Sequence, residues 1–448
     1  MPADAPETPD QAATDEQDGT VEPDEHVEPA ELLTLRDGLP EITDTEAGLA
    51  EVCARVAAGT GPVALDAERA SGYRYSNRAY LVQLRREGSG SALVDPIAFT
   101  SMAPLAEAIG DAEWILHAAS QDLPCLADIG LRPASLFDTE LAGRLLGYPR
   151  VGLATLVETL LGYRLKKEHS AVDWSTRPLP RPWLEYAALD VEVLLELREV
   201  LLAELVEQGK DGWARQEFDH LLGFEPTVRQ EAWRRTGGLH RVRGRRNLAA
   251  VRELWETRDE LAERRDVTPG RIVPDAAIIA AATAQPTDRD SLMRTPGFHG
   301  RGADRYAARW VEALQRAAAM SEDELPARTQ RTDGPPTARA WAERDPVAAA
   351  RLRLAREELA TLSTEQRVPA ENLLTPDFLR RTLWTPPETR EPGELLDEVV
   401  ARLTEYGARS WQSALVAPVL VRAILQADVE AAADPAGEDE PAPPVQDS

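Results

Sequence analysis

The segment Val63-Ala-Leu-Asp-Ala67 is apolar except for one carboxylate, and a second carboxylate, Glu68, follows it directly. A short apolar run bounded by turn-forming residues reads as a strand packed inside a sheet. Side chains two apart on a strand share a face, so Asp66 and Glu68 must emerge side by side from a buried element. Two similar runs follow, Ala79-Tyr-Leu-Val-Gln-Leu84 and Ser91-Ala-Leu-Val-Asp95, which predicts three strands in hairpin succession. A helix near Met102 to Ile109, a strand over Glu113-Trp-Ile-Leu-His117 and a helix over Asp122 to Ile129 then continue the chain in strand-helix alternation. The expected fold of this region is α/β, a mixed sheet with helices on both faces.

Strands vanish from the pattern after about residue 210. Arg246 to Arg264, Asp275 to Ala284 and Ala303 to Ala319 read as amphipathic helices separated by Pro and Gly. A Pro-rich linker is expected over 321–345, followed by a second helical region from Pro346 to about Ala427. The two regions are weakly repeated: Glu260 to Asp275 resembles Glu358 to Asp377, each a helix, a Pro-bearing turn, then Ile or Leu and a Pro-Asp pair. The organisation expected is an acidic tail over 1–31, an α/β domain over 32–210, all-α modules over 234–320 and 346–427, and a second acidic tail over 428–448.

A net charge of −27 argues at first against a nucleic-acid partner. The two tails, however, hold eighteen Asp and Glu and no Lys or Arg; rich in Pro, Ala and acid, they read as disordered. Between Arg234 and Arg316 the sign reverses, with seventeen Arg against eleven Asp and Glu. Only two cysteines, Cys53 and Cys125, are present, without zinc spacing, and no run reads as a signal peptide or membrane span. The expectation is a cytoplasmic protein in a reducing compartment, with no membrane association.

Of the seventy-seven acidic residues, four stand apart by context. Besides Asp66 and Glu68, Asp122 follows the strand ending at His117, and Asp190 shares a helical face with Tyr186 at i, i+4 spacing. Taken singly, each acid reads as a surface or capping residue. Four carboxylates converging on one point would repel one another unless cations neutralised them, and oxygen-rich clusters suit Mg²⁺ or Mn²⁺. Two such ions can activate a water and stabilise the leaving oxygen of a phosphodiester, with Tyr186 orienting or helping to deprotonate that water.

Leu65-Asp-Ala-Glu68, His117-Ala-Ala-Ser-Gln-Asp-Leu123 and Tyr186-Ala-Ala-Leu-Asp190 resemble the three exonuclease motifs of the DEDD superfamily, in its tyrosine subgroup. Val172-Asp-Trp-Ser-Thr-Arg-Pro-Leu179 resembles the segment before the third motif in ribonuclease D. The resemblance, over about residues 40 to 210, implies a ribonuclease H-like fold. It also implies 3′-5′ exonucleolysis with two divalent cations on Asp66, Glu68, Asp122 and Asp190, releasing nucleoside 5′-monophosphates. The family points to 3′ ends of structured RNA, such as tRNA precursors, as substrate. A DNA 3′-5′ exonuclease of repair and a non-catalytic RNA-binding scaffold are the competing readings. Two departures stand out: Arg69 occupies a position where the family usually has an aromatic or other apolar residue, and the usual Ser before Asp173-Trp174 is missing.

Lys166 and Arg177 flank that segment and are candidates for contact with the scissile strand, with solvated charges of a lid an equal reading for either one. Trp174 and Trp183 are candidates for stacking on a terminal base, against the stronger reading of core packing. His117 is expected to support the loop leading to Asp122, and Gln83 to be structural. Residues 241 to 316 resemble an HRDC domain, the helical nucleic-acid-binding module of ribonuclease D and RecQ-type helicases, through Leu254-Trp-Glu-Thr-Arg258, Pro269 to Pro274 and Thr295-Pro-Gly-Phe-His-Gly-Arg301. The run Arg241, Arg243, Arg245, Arg246 and the cluster Arg294, Arg301, Arg305 are its candidate phosphate contacts. The second module is similar to the divergent C-terminal domain of such exonucleases, which leaves open whether it binds RNA or only packs.

Overall fold

The computed structural model describes residues 30–166, 171–226, 230–329 and 334–433. Its strands are β1 (Glu31–Leu32), β2 (Ile42–Thr43), β3 (Thr60–Arg69), β4 (Ala79–Glu87), β5 (Gly90–Val94), β6 (Trp114–Leu116), β7 (Leu136–Asp138) and β8 (Tyr163–Arg164). Six of them form one sheet in the order β2-β5-β4-β3-β6-β7, and β1 pairs with β8. The meander β3, β4, β5 is antiparallel, whereas β2, β6 and β7 join parallel to their neighbours. This is the mixed sheet that three hairpin-linked strands followed by crossover units predict.

Pleat alternation decides which face carries what. Val63, Leu65 and Ala67 of β3 point into a core closed by the helices Glu46–Ala58 and Ala103–Ile109, through Leu49, Val52, Leu105 and Ile109. Ala64, Asp66 and Glu68 therefore take the other face. There the helix Arg181–Glu192 lies on β4 and β5, its Ala187 and Ala188 fully buried against Leu81 and Leu93. Alanines at those two positions let the helix backbone approach the sheet closely, which brings Asp190 to the edge of β3.

The repeat seen in the sequence has a direct structural counterpart. The helices Arg245–Arg265 and Pro346–Gln366 both have 21 residues, and each ends on a left-handed residue, Asp266 or Arg367. A four-residue helix follows in each, Pro269–Ile272 or Ala370–Leu373, and then a longer one, Asp275–Ala284 or Pro376–Trp384. The second repeat starts where Asp345 accepts a hydrogen bond from the Ala348 N–H at 2.8 Å and Pro346 takes the first helical position.

Both modules dock on the α/β domain with the same corner. The Asp266 carboxylate accepts the Ser76 N–H at 2.9 Å, the Thr268 N–H donates to the Tyr73 carbonyl at 3.1 Å, and the Tyr75 hydroxyl donates to Asp259 at 3.0 Å. In the second module, Lys210 donates to the carbonyls of Leu145 and Gln366 at 2.6 and 2.7 Å, and Trp213 stacks on Trp411 with ring centroids 4.8 Å apart. The first module has a core of its own around Trp233, Phe298 and Trp310; the second shares one continuous core with the α/β domain.

Several expected boundaries shift. Residue 31, assigned to the acidic tail, is paired in β1, and the last helix, Ser410–Ala433, runs past 428, with Asp428 paired to Arg351 at 2.9 Å. Residues 1–29 and 434–448 of the tails lie outside the described residues. The α/β domain gains a helix beyond 210, Asp211–Leu222, anchored by Phe218 on Phe137 with ring centroids 4.9 Å apart. The expected linker ends in a short helix, Trp341–Arg344, whose Trp341 is fully buried. The helix expected over Ala303 to Ala319 is divided at Tyr306. Among the described residues no helix is long and apolar enough to cross a membrane.

Gly147 has φ +87, and a Cβ there would meet the Arg367 carbonyl oxygen at 2.5 Å. Gly61 has φ +69 and nothing within 4 Å of such a Cβ. Gly147→Ala should therefore lose more than the roughly 1–2 kcal/mol of left-handed strain expected for Gly61→Ala. Denaturant unfolding of both variants checks this, and equal losses would remove the close approach between domain and module from the account.

Candidate active site

Three chain segments bring the carboxylates together at the end of β3. Asp66 and Glu68 leave β3 on one face, Asp190 comes from the helix Arg181–Glu192, and Asp122 heads the helix Leu123–Asp128 after β6. Ligand atoms of Asp66, Glu68 and Asp190 lie within 4.8 Å of one another. All four acids line one cleft of about 820 Å³, together with Tyr186, Arg69, His117 and Lys166. Tyr186 is hydrogen-bonded to Asp190, one helical turn away.

Three of the four carboxylates have an identifiable support. Gln83, opposite Asp66 in the β3–β4 ladder, donates to its Oδ2 at 2.6 Å. The helix bearing Asp190 is tied to the sheet by buried Glu192, which lies 3.4 Å from Arg85 and accepts the Arg36 N–H at 3.3 Å. Asp122 depends on a loop that starts with Ala118 in the left-handed region, φ 57. The buried carboxylate of Asp138 fixes that loop, accepting the N–H groups of Ala118 and Ala119 at 3.2 and 2.8 Å while also capping the helix Thr139–Leu146 through Glu140 and Leu141. His117 braces the same loop, its Nδ1 2.9 Å from the Thr139 hydroxyl, as expected for a supporting residue. Burial pushes its imidazole down to about 4, so it is neutral near pH 7.

The electrostatics are those of uncompensated negative charge. Burial raises Asp66, Glu68, Asp122 and Asp190 above the ordinary carboxylate range, and mutual repulsion raises Glu68, Asp122 and Asp190 further. Arg69 opposes this, its Nη2 3.7 Å from Asp122 Oδ1. Burial, then Asp190 and the other acids, push the Tyr186 phenol well above its usual value. Clustered, half-buried oxygen donors with too little positive charge of their own fit a hard divalent cation, which Asp66, Glu68 and Asp190 would hold together.

Asp138 and Arg69 were not candidates. Asp138 has a local signature, an Asp at a strand end before Thr-Glu, but this reads only as a helix cap. What it does for the Ala118 loop depends on residues twenty positions away.

Several sequence candidates take other places. Arg177 donates to both oxygens of Asp95 at 2.6 and 2.9 Å and to the carbonyls of Tyr80, Trp174 and Thr176 at 2.8 Å. A guanidinium so fully engaged is a latch between the segment and the sheet, which corrects the expected strand contact. Trp174 is fully buried, edge-on to Trp183 at 5.6 Å, so it packs in the core instead of stacking on a base. Arg245 donates to the carbonyls of Leu325 and Pro326, and Arg246 to those of Ala317, Ala318 and Met320. Both close the ends of their own module, a correction to their reading as phosphate contacts. Lys166 is exposed at the cleft, and Arg241, Arg243, Arg294 and Arg305 are exposed on the first module, Arg305 lying over Tyr306. The Arg301 side chain lies outside the described residues.

Comparison with known proteins matches residues 40–206 to a 3′-5′ exonuclease family, 247–314 to the HRDC domain, and 334–424 to a 3′ to 5′ exonuclease C-terminal domain. Ribonuclease D of Zymomonas mobilis is 33% identical over 305 residues, covering 65% of this chain and 76% of the relative. Ribonuclease D of Acidiphilium cryptum is 33% identical over 297 residues, covering 64% and 74%. A crystal structure of a protein from Bifidobacterium adolescentis aligns with a TM-score of 0.81 at 38% identity, covering 89% of this chain and 100% of the other. RNase D of Escherichia coli aligns with a TM-score of 0.61 at 26% identity, covering 83% and 100%.

A carboxyl raised above its ordinary value keeps its proton in the folded state after the unfolded chain has released it. Stability conferred below that range is then lost as pH rises through the raised values. Cation-free protein should thus lose stability as pH rises out of the ordinary carboxylate range, and so be less stable at pH 8 than at pH 5 for this reason, and Mn²⁺ should raise its melting temperature more at pH 8. Asp190→Asn should raise the cation-free melting temperature and remove most of the Mn²⁺ shift. Melting curves with an equal Mn²⁺ shift at both pH values would contradict the charge argument.

Proposed function

The chain belongs to the ribonuclease D family and is a 3′-5′ exoribonuclease; from this we propose that it trims structured RNA such as tRNA precursors by two-cation hydrolysis in the Asp66 cleft. The observation carrying the reading is the approach of Asp66, Glu68 and Asp190 to within 4.8 Å, beside Tyr186. Structured RNA is taken from the E. coli enzyme, described as an exoribonuclease involved in structured RNA processing. The scheme further has the products leave as nucleoside 5′-monophosphates.

Bound divalent cations would neutralise the phosphate and supply an activated water. The protein's part is positioning. Asp66, Glu68 and Asp190 would hold one cation and Asp122 would help to hold the second, with Gln83, Glu192 and Asp138 keeping Asp66, Asp190 and Asp122 in place. The Tyr186 hydroxyl, hydrogen-bonded to Asp190, orients the attacking water. Lys166, exposed at the rim, meets a phosphate of the terminal nucleotides. Arg241, Arg243, Arg294 and Arg305 of the HRDC domain contact phosphates further along the RNA, adding affinity without reading sequence.

Asp66→Asn and Asp190→Asn should abolish Mn²⁺- or Mg²⁺-supported shortening of end-labelled RNA while leaving RNA affinity within about threefold; Tyr186→Phe should slow it by roughly 10² to 10⁴. Run beside DNA of matched sequence, the same assay sets the sugar preference, and equal or faster loss of DNA would transfer the reading to a DNA exonuclease. Because the C-terminal module shares its core with the nuclease domain, the phosphate contacts are better tested by Arg241→Ala with Arg243→Ala than by deletion. That pair should lower the slope of log affinity against log salt by about 1 to 2. An unchanged slope would remove both residues from the RNA path.

A further inference from the structure

Arg69 sits where a cation-binding cleft least needs a side chain of this kind. It directly follows Glu68, and a regular pleat would aim it with Ala67 into the opposite face. The β3–β4 register shifts between Glu68 and Arg69, an irregularity of the sort that re-aims a side chain. The Arg69 guanidinium consequently lines the cleft and lies 3.7 Å from Asp122.

Two contrasts define what it does there. The carboxylates of Asp66, Glu68 and Asp190 come within 4.8 Å of one another, whereas Asp122 stands outside that group and is the acid in ion-pair reach of Arg69, whose charge acts on Asp66 and Glu68 from further away. Arg177, the other arginine near the cleft segment, is fixed by hydrogen bonds to Asp95 and three carbonyls. Beyond the strand pairing of its backbone with Ala79, the Arg69 side chain makes no hydrogen bond among the described residues and is a quarter exposed. It is held by charge alone, so it can leave when a stronger charge arrives. Its planar fork also suits a phosphate, which reaches the same cleft with the substrate.

We propose that Arg69 is an exchangeable counter-ion for Asp122, which competes with the second divalent cation for that carboxylate and passes to the RNA phosphate when the cation is bound. The inference rests on the cleft being the cation site. It makes the second cation and RNA bind cooperatively, since each removes the obstacle to the other, and such coupling is reciprocal. Arg69 is on this account a positioning residue that orders loading, and its departure from the family pattern is a functional feature of this chain.

Calorimetric titration of the full-length protein with MnCl₂, alone and with RNA carrying a non-cleavable 3′-terminal phosphorothioate, tests this. In the wild type one tight and one weak site are expected, the weak site tightening roughly tenfold with RNA. Arg69→Gln should tighten the weak site roughly tenfold without RNA, change the tight site by less than about threefold, and lose most of the RNA effect. Arg69→Lys, which keeps the charge, should stay near wild type, and Asp122→Asn should lose the weak site. An unchanged weak site in Arg69→Gln, or equal tightening of both sites, would overturn the exchange while leaving the cleft as the cation site. A tight site surviving Asp190→Asn would overturn the cleft reading, and the exchange with it.

Discussion

Negative charge concentrated at the end of one central strand is the constraint around which the rest of the structure is arranged. Carboxylates that repel one another stay together only if the scaffold holds them against that repulsion. The supports are distinct, one for each of three acids: Gln83 from the neighbouring strand for Asp66, the alanine-lined helix locked by Glu192 for Asp190, and the Asp138 carboxylate that fixes the left-handed turn at Ala118 for Asp122. Burial keeps water from screening the charge, which makes the cleft unfavourable when empty of cations and selective for ions of high charge density. The same arrangement leaves Arg69 as the one cationic side chain paired with a motif carboxylate among the described residues.

Much of this was legible in the sequence because the signals are local. The strands β3, β4 and β5 are short apolar runs, the four acids and Tyr186 sit in tight motifs, and the two helical modules repeat a helix, Pro-bearing turn and Pro-Asp start. What could not be read depends on partners distant in the chain. Arg177 reads as a surface cation until Asp95, 82 residues earlier, is seen to accept from its fork. Arg245 and Arg246 likewise read as part of a basic run, yet their donors end on carbonyls more than seventy residues away. A tryptophan that stacks on a base and one that fills a core have the same composition, and only packing around Trp174 distinguishes them. Helix ends are also set by tertiary contact: the Arg351 and Arg390 pairs with Asp428 extend the last helix into a stretch whose composition reads as a tail.

The two helical repeats use one corner, the left-handed end of their long helix, to meet the nuclease domain, but they meet it with different chemistry. Asp266 is met by the Ser76 N–H and by the Tyr80 hydroxyl at the start of β4, whereas the Arg367 carbonyl closes over Gly147, the Gln366 carbonyl accepts from buried Lys210, and the surrounding apolar residues merge with the domain interior. Separating the second repeat would expose a large apolar surface; separating the first would break a handful of polar contacts that water can replace. The molecule accordingly has one shoulder fused to the nuclease domain through a common core and one arm joined to it through polar contacts. If the exposed arginines of that arm take the phosphates as proposed, a long RNA would stay tethered to it while its shortened end left the cleft and was threaded back for another round.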